Sequence, residues 1–334
     1  MMWKNFCALL KKDFRMLVSG KFFLTAIGFL ILYTAYVNWG YIRFMKTPVY
    51  NVYLYDPAAT QKNIAPSVQI VPSKEALNAA LLADMNSVGL DAGDGSVQAV
   101  LYEGNVQLDR HRKDYALSLL QPLESSAPEV VGSHSLEQKA RKEITCELLF
   151  FELSAVGLLG IAAVLFKEKS MGVIRVHTVL PMQRELFLLS KLTIFLISDL
   201  CYGILLTLLN VGFSRGIKIL PAVLIQTAIL SLIMALIGLG CSLLLKDFRQ
   251  FTLAYLIIAV FVATPVFLSA NTAVKLDWIV FHPFFHFYMG LKNAYFETPV
   301  TTPVYYIGCL CAIAFLFSGV RLAFCREMEK ELPV

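Results

Sequence analysis

The stretch Lys167–Lys191, KEKSMGVIRVHTVLPMQRELFLLSK, lies between two strongly apolar runs, Leu148–Phe166 and Leu186–Val211. Its charged residues are Lys167, Glu168, Lys169, Arg175, Arg184, Glu185 and Lys191, five of them cationic. A short basic loop between two membrane spans belongs on the cytoplasmic side. It is also patterned, which a mere connector need not be. Gly172 opens a segment in which Val173, Ile174, Val176, Val179 and Leu180 are apolar, and Pro181 ends or kinks it. The pattern predicts a short amphipathic helix at the membrane surface that offers one face to a partner.

Composition sets the class. With 57% hydrophobic and 16% charged residues over 334 positions, the chain is an integral membrane protein. Basic loops beside anionic lipid account for the net charge of +5, so nucleic acid is not implied. None of the seven cysteines falls between Arg43 and Thr145, the segment assigned to the outside, which argues against a disulfide framework. Cys309 and Cys311 sit mid-span and read as small apolar fillers.

From the N-terminus, residues 1–21 form a basic interfacial helix, with Trp3, Phe6, Leu10, Phe14 and Leu17 at helical spacing. Residues 22–42 are the first span, long enough to cross ~30 Å of hydrocarbon and lacking a cleavage site. Residues 43–142 change character. Strands are expected at Asn51–Tyr55, Ser67–Val71 and Ser96–Tyr102, helices at Ser73–Met85 and Gln107–Leu120, and a turn at Gly89–Gly95. This ββαβα order makes a small α/β domain. Asp91-Ala92-Gly93-Asp94-Gly95 reads as a tight polar turn, because the alternating oxygens of a calcium loop are missing.

The second span is 143–166, followed by the loop 167–185 and the third span, 186–211. The fourth is 219–245 and the fifth 251–270, with Pro265 expected to kink it. Residues 271–302 are too polar and Pro-broken to span, so Phe281–Phe296 is expected as a re-entrant or surface-lying helix. The sixth span is 303–323, and 324–334 form a charged tail. With both termini cytoplasmic, fifteen Lys and Arg fall inside, against Arg215, Lys218, Lys275 and Lys292 in the outer turns. The orientation puts 43–142 outside the cell or inner membrane.

An acidic residue after a span, then Lys/Arg, a Gly, a short apolar helix, a Pro and a charged run into the next span resembles the coupling loop of ABC-2-type transporter permeases. Glu168, Gly172, Leu180, Pro181, Glu185 and Lys191 carry the likeness. The N-terminal interfacial helix, the outer insert after the first span and the short outer helices before the sixth resemble the same family. Members commonly show Gly-Thr followed by Glu, where this chain has Gly172-Val173 and Arg175. The resemblance implies six spans, a second permease subunit and a separate ABC ATPase that carries ATP and Mg. It implies that Glu168, Gly172, Ile174, Leu180, Pro181 and Glu185 couple to that ATPase.

The chain has no G-x-x-x-x-G-K-[ST], H-E-x-x-H or G-x-S-x-G motif, so it binds no ATP through a P-loop and carries no such hydrolase signature. It reads as a transporter subunit with no cofactor of its own, not an enzyme. His282 and His286 share a helical face, but a metal needs further ligands, and an aromatic interfacial anchor is the favoured reading. Asp199 falls near the centre of the third span and Glu152 in the second, where an acid costs about 2.5–3.5 kcal/mol to insert. Asn210 and Gln226 add polarity. These four are a candidate translocation path, or else they bond neighbouring spans. The leading expectation is export of a drug, lipid or other amphiphile. An ion-coupled transporter using Asp199 and Glu152, and a membrane-anchored sensor, are the alternatives.

Overall fold

The computed structural model describes residues 2–45, 50–59, 64–84, 87–93, 96–101, 106–120, 136–174, 176, 184–270, 277–298 and 303–330. In order the elements are α1 (Met2–Ser19), α2 (Phe22–Ala35), β1 (Val52–Tyr55), β2 (Val68–Ile70), α3 (Lys74–Ala83), β3 (Val88–Asp91), β4 (Gln98–Val100) and α4 (Val106–Ser118). Then follow α5 (Leu136–Phe151), α6 (Gly157–Ser170), α7 (Arg184–Val211), α8 (Phe213–Leu244), α9 (Phe248–Ala270), α10 (Pro283–Phe296) and α11 (Pro303–Lys330). Wider π-helical turns extend α2 through Tyr36–Tyr41 and join α5 to α6 through Glu152–Val156. The chain divides into a helical unit (Met1–Tyr41 with Ser135–Val334) and a second unit, Ile42–His134.

Six helical stretches are long and apolar enough to cross a membrane, and the helical unit is that of a helical, multi-pass membrane protein. Its hub is α8, which packs against α6, α7, α10 and α11. A helix apolar all round belongs in the interior. In α8, 61% of the most apolar window is buried, against 6% for Phe22–Tyr41, whose surface is left to lipid or another chain. Small residues set the closest approach. A Cβ on Gly238 would fall 2.6 Å from Ile161 Cγ2 and 3.0 Å from the Leu158 carbonyl oxygen, so α6 and α8 touch nearly backbone to backbone. Gly238→Ala is expected to cost about 1–3 kcal/mol by overpacking. A thermal melt in detergent checks this, with Gly308→Ala, whose Cβ meets nothing within 4 Å, as the control.

Several boundaries differ from expectation. The second spanning helix begins at Leu136, not at residue 143, because its charged first turns are bonded within the bundle: Arg141 Nη1 donates to Asn38 Oδ1 (2.7 Å) and to the Asn210 carbonyl (3.1 Å). The turn expected over Gly212–Lys218 is a single residue. Gly212 takes φ +96°, open to glycine, and α8 starts at the next position and runs through Pro221. As expected, α9 runs through Pro265 to Ala270. The helix α10 packs into the bundle: Tyr288, Leu291 and Tyr295 are buried where it meets α5, α8 and α9.

The second unit holds a four-stranded sheet in the order β2-β1-β3-β4, with β1 parallel to β2 and β3, and β4 antiparallel to β3. Ser73 caps α3 by accepting from the Ala76 amide at 3.1 Å. Gly89, read as part of a turn, lies instead in the central strand β3. Its missing side chain makes room for Leu77 and Leu81 of α3, whose atoms would sit 3.2 and 3.0 Å from a Cβ there. Asp91 is committed within the chain. Its ion pair with Lys74 (2.7 Å) and the Gly93 amide (2.9 Å) hold its carboxyl below the usual range. Asp94 and Gly95 lie outside the described residues.

Candidate functional site

Two groups of polar residues are buried in the helical unit, one at the loop end and one within the spans. At the loop end, α1 lies against α7 and inserts Asp13 between them. Lys191 of α7 pairs with Glu168 of α6 (2.5 Å) and with Asp13 (3.2 Å). Lys12 pairs with Glu168 (2.6 Å), and the Ser190 hydroxyl donates to Asp13 (2.7 Å). Glu168 and Lys191 side chains are both 0% exposed, and the two cations and two anions balance. Phe187 lies under both cations, 5.3 Å from Lys12 Nζ and 4.5 Å from Lys191 Nζ. The two ends of the Lys167–Lys191 stretch and α1 are thereby tied into one block.

This arrangement changes the reading of the loop residues. Glu168 faces inward, paired with Lys191 and Lys12. Ile174, 3% exposed, packs into a core cluster with Leu17, Leu165 and Phe187. Gly172 takes φ +69° and its amide bonds the Lys169 carbonyl (3.0 Å), closing the end of α6. Glu185 pairs with Arg321 of α11 at 2.8 Å. A new helical turn starts at Val173, with Met171 and Val176 pointing outward at 52% and 56% exposure. Leu180 and Pro181 lie outside the described residues.

Within the spans, Glu152 and Asp199 belong to one cluster. The Ser231 hydroxyl of α8 donates to Asp199 Oδ2 at 2.5 Å. Asp199 and Tyr33 of α2 lie close enough to Glu152 to interact with it electrostatically. Glu152 is 6% exposed, and its Oε2 and the neighbouring Tyr202 hydroxyl have no hydrogen-bond partner among the described residues. Glu152 also opens the π-helical segment, a local widening that recurs at functional sites. Two carboxylates with several hydroxyls and an unfilled acceptor make an environment suited to a cation.

Asn210 and Gln226 belong elsewhere. Asn210 lies 11 residues beyond Asp199 on α7, about 16 Å along the axis. It accepts from Asn38 Nδ2 at 3.3 Å. Gln226 Oε1 accepts from Tyr305 (2.8 Å), while its Nε2 faces Tyr306 (3.5 Å). The four do not form one cluster. The histidines are engaged separately, His286 with the Val280 carbonyl (2.8 Å) and His282 with the Phe261 ring, tilted by 38° at 4.3 Å between centroids. Among the described residues, no group of three or more His, Cys, Asp or Glu is placed to hold a metal. Cys309 is buried and Cys311 exposed, and both are free.

Sequence reading missed Asp13, Tyr33, Tyr202 and Ser231. For Asp13 a signal exists: with Leu9 and Leu17 it forms an i, i+4, i+8 stripe, and that stripe is the buried face of α1. Trp3 and Phe14, assigned to the same apolar face, are exposed. No such signal marks Ser231 or Tyr33, which lie in helices apolar on every side. Comparison with family models, with curated proteins and with solved structures finds no match in any of the three.

Proposed function

We propose that the chain is the membrane-spanning subunit of an ABC-2-type exporter, with both termini in the cytoplasm and the Ile42–His134 unit outside. A separate P-loop ATPase would press on the loop after α6, and a second permease subunit would cover the open face of α2. One observation carries this reading: the buried Lys12–Asp13–Glu168–Lys191 network joins the two helices that the loop connects. Breaking a buried network by removing one member costs about 3–5 kcal/mol, so a push on the loop moves α1, α6 and α7 together. Glu152 adjoins α6 and Asp199 lies on α7, so motion of the loop's two helices reaches both carboxylates. Cargo is then an amphiphile or a cation.

The test uses the chain assembled with a P-loop ATPase that co-purifies with it. Met171→Asp with Val176→Asp is expected to abolish cargo-stimulated ATP hydrolysis while membrane insertion survives. Normal stimulation in that variant would sink the coupling assignment. Orientation is tested in a cysteine-free background. Ser96→Cys, exposed in the second unit, should react with an impermeant maleimide in intact cells, and Gln250→Cys only after permeabilisation. The opposite pattern would overturn the topology.

The Glu152–Asp199 pair favours a second reading, an ion-coupled transporter. It is separated from the first by energising proteoliposomes with an ion gradient alone. Cargo movement without an ATPase would support it.

A further inference from the structure

At the loop end of the helical unit, a cavity of about 920 Å³ is bounded by the ends of α6, α8, α9 and α11. A second, about 730 Å³, runs as a groove between α8 and α11. The two share Leu243, Leu244, Glu327 and Lys330, so they are continuous. Their chemistry differs. The groove is walled by residues such as Leu236, Phe315 and Leu322, and the cavity is rimmed by Lys167, Lys169, Lys246 and Lys330.

The acids near this rim are already satisfied. Glu327 pairs with Lys169 (2.9 Å) and Lys330 (3.2 Å), and Asp247 Oδ1 accepts from the Gln250 amide (2.9 Å). Lys169 also bonds the Ser242 and Leu245 carbonyls at 3.2 and 3.3 Å. Lys167, Lys246 and Arg326 make no ion pair among the described residues, which leaves a local excess of positive charge. The groove between the helices is opened by glycine. A Cβ at Gly319 would meet nothing within 4 Å, and one at Gly240 only Val320 Cγ2 at 3.6 Å. Backbone is therefore bare along a wall that spans Leu236 to Leu244, about 12 Å of helix.

An occupant of this combined space needs an anionic group at one end and a long apolar chain at the other. We propose that it is a binding site for an anionic phospholipid. The phosphate lies at the cavity rim by Lys167 and Lys246, and one acyl chain lies in the α8–α11 groove over Gly319. Basic pockets between spanning helices are suited to such headgroups, and each surface cation adds to the attraction. The site is independent of the exporter reading, since it would serve any protein of this architecture.

The experiment uses the full chain in a neutral detergent, with binding read as thermal stabilisation during titration with dioleoyl-phosphatidylglycerol. Dioleoyl-phosphatidylcholine and inorganic phosphate are the comparison probes. Phosphatidylglycerol alone should stabilise the chain, and added salt should weaken the effect. Lys167→Gln with Lys246→Gln should weaken its binding about thirtyfold, the ratio for losing two surface cations. Gly319→Leu should remove it by filling the groove, with no clash at its Cβ to lower the lipid-free melting temperature. Equal stabilisation by phosphatidylcholine, or the same shift with inorganic phosphate, would overturn the proposal. So would unchanged phosphatidylglycerol binding in either variant.

Discussion

Glu168→Ala should lower the stability of the helical unit by about 3–5 kcal/mol, the largest effect expected of any single substitution away from the spans' centre. Glu168 and Lys191 are 0% exposed and held at 2.5 Å, with Lys12 and Asp13 completing a neutral set. Removing Glu168 leaves the fully buried Lys191 and the partly exposed Lys12 against Asp13 alone. The cost is the uncompensated charge, not the worth of the pair. Glu168→Met with Lys191→Met should therefore recover most of the loss, because Lys12 and Asp13 remain to balance each other at 3.4 Å. Thermal unfolding of the two single variants and the double variant in detergent measures the coupling. Additive losses, with no recovery in the double variant, would mean that the network is not a unit.

The second large effect concerns the carboxylates within the spans. Glu152→Gln and Asp199→Asn should each leave the bundle folded yet lower transport of a cationic cargo by about tenfold or more, equivalent to ~1.4 kcal/mol. The two carboxylates interact, and when both are ionised they repel each other. Neutralising one relieves that repulsion and removes the attraction for a cation in the same step. The amide of Asn still accepts from Ser231. Asp199→Leu cannot, and should lose about 1–3 kcal/mol because the Ser231 hydroxyl is stranded. Transport of a neutral cargo is the control, since only the Coulomb term is gone. Normal cation transport in both amide variants would assign the pair to helix packing alone.

The layout of the chain was legible without coordinates. A span is a run of some twenty apolar residues, and the free energy of placing it in hydrocarbon is nearly a sum over its own side chains. The six spans, the switch to strands and helices after Ile42 and the short basic loop could therefore be read from local composition. Ser73 announces the start of α3 in the same local way, because a cap acts over three residues.

Partnerships were not legible, because they depend on which faces of distant helices meet. Asp13 and Lys191 are 178 residues apart in the chain, and the stripe that buries Asp13 fixes a face but not a neighbour. Glu168 looked like a surface contact because acids in loops are usually solvated; α1 covers it. Gly89 looked like a turn because only the packing of Leu77 and Leu81 explains a glycine in the middle of a sheet. In α8, apolar on every side, periodicity carries no sign of which flank meets α6, α7 or α11. The sequence by itself determined which six stretches are long and apolar enough to cross a membrane, since transfer to lipid is a local energy. Only the tertiary structure decided which charges meet inside the helical unit, since a pairing energy belongs to two segments at once.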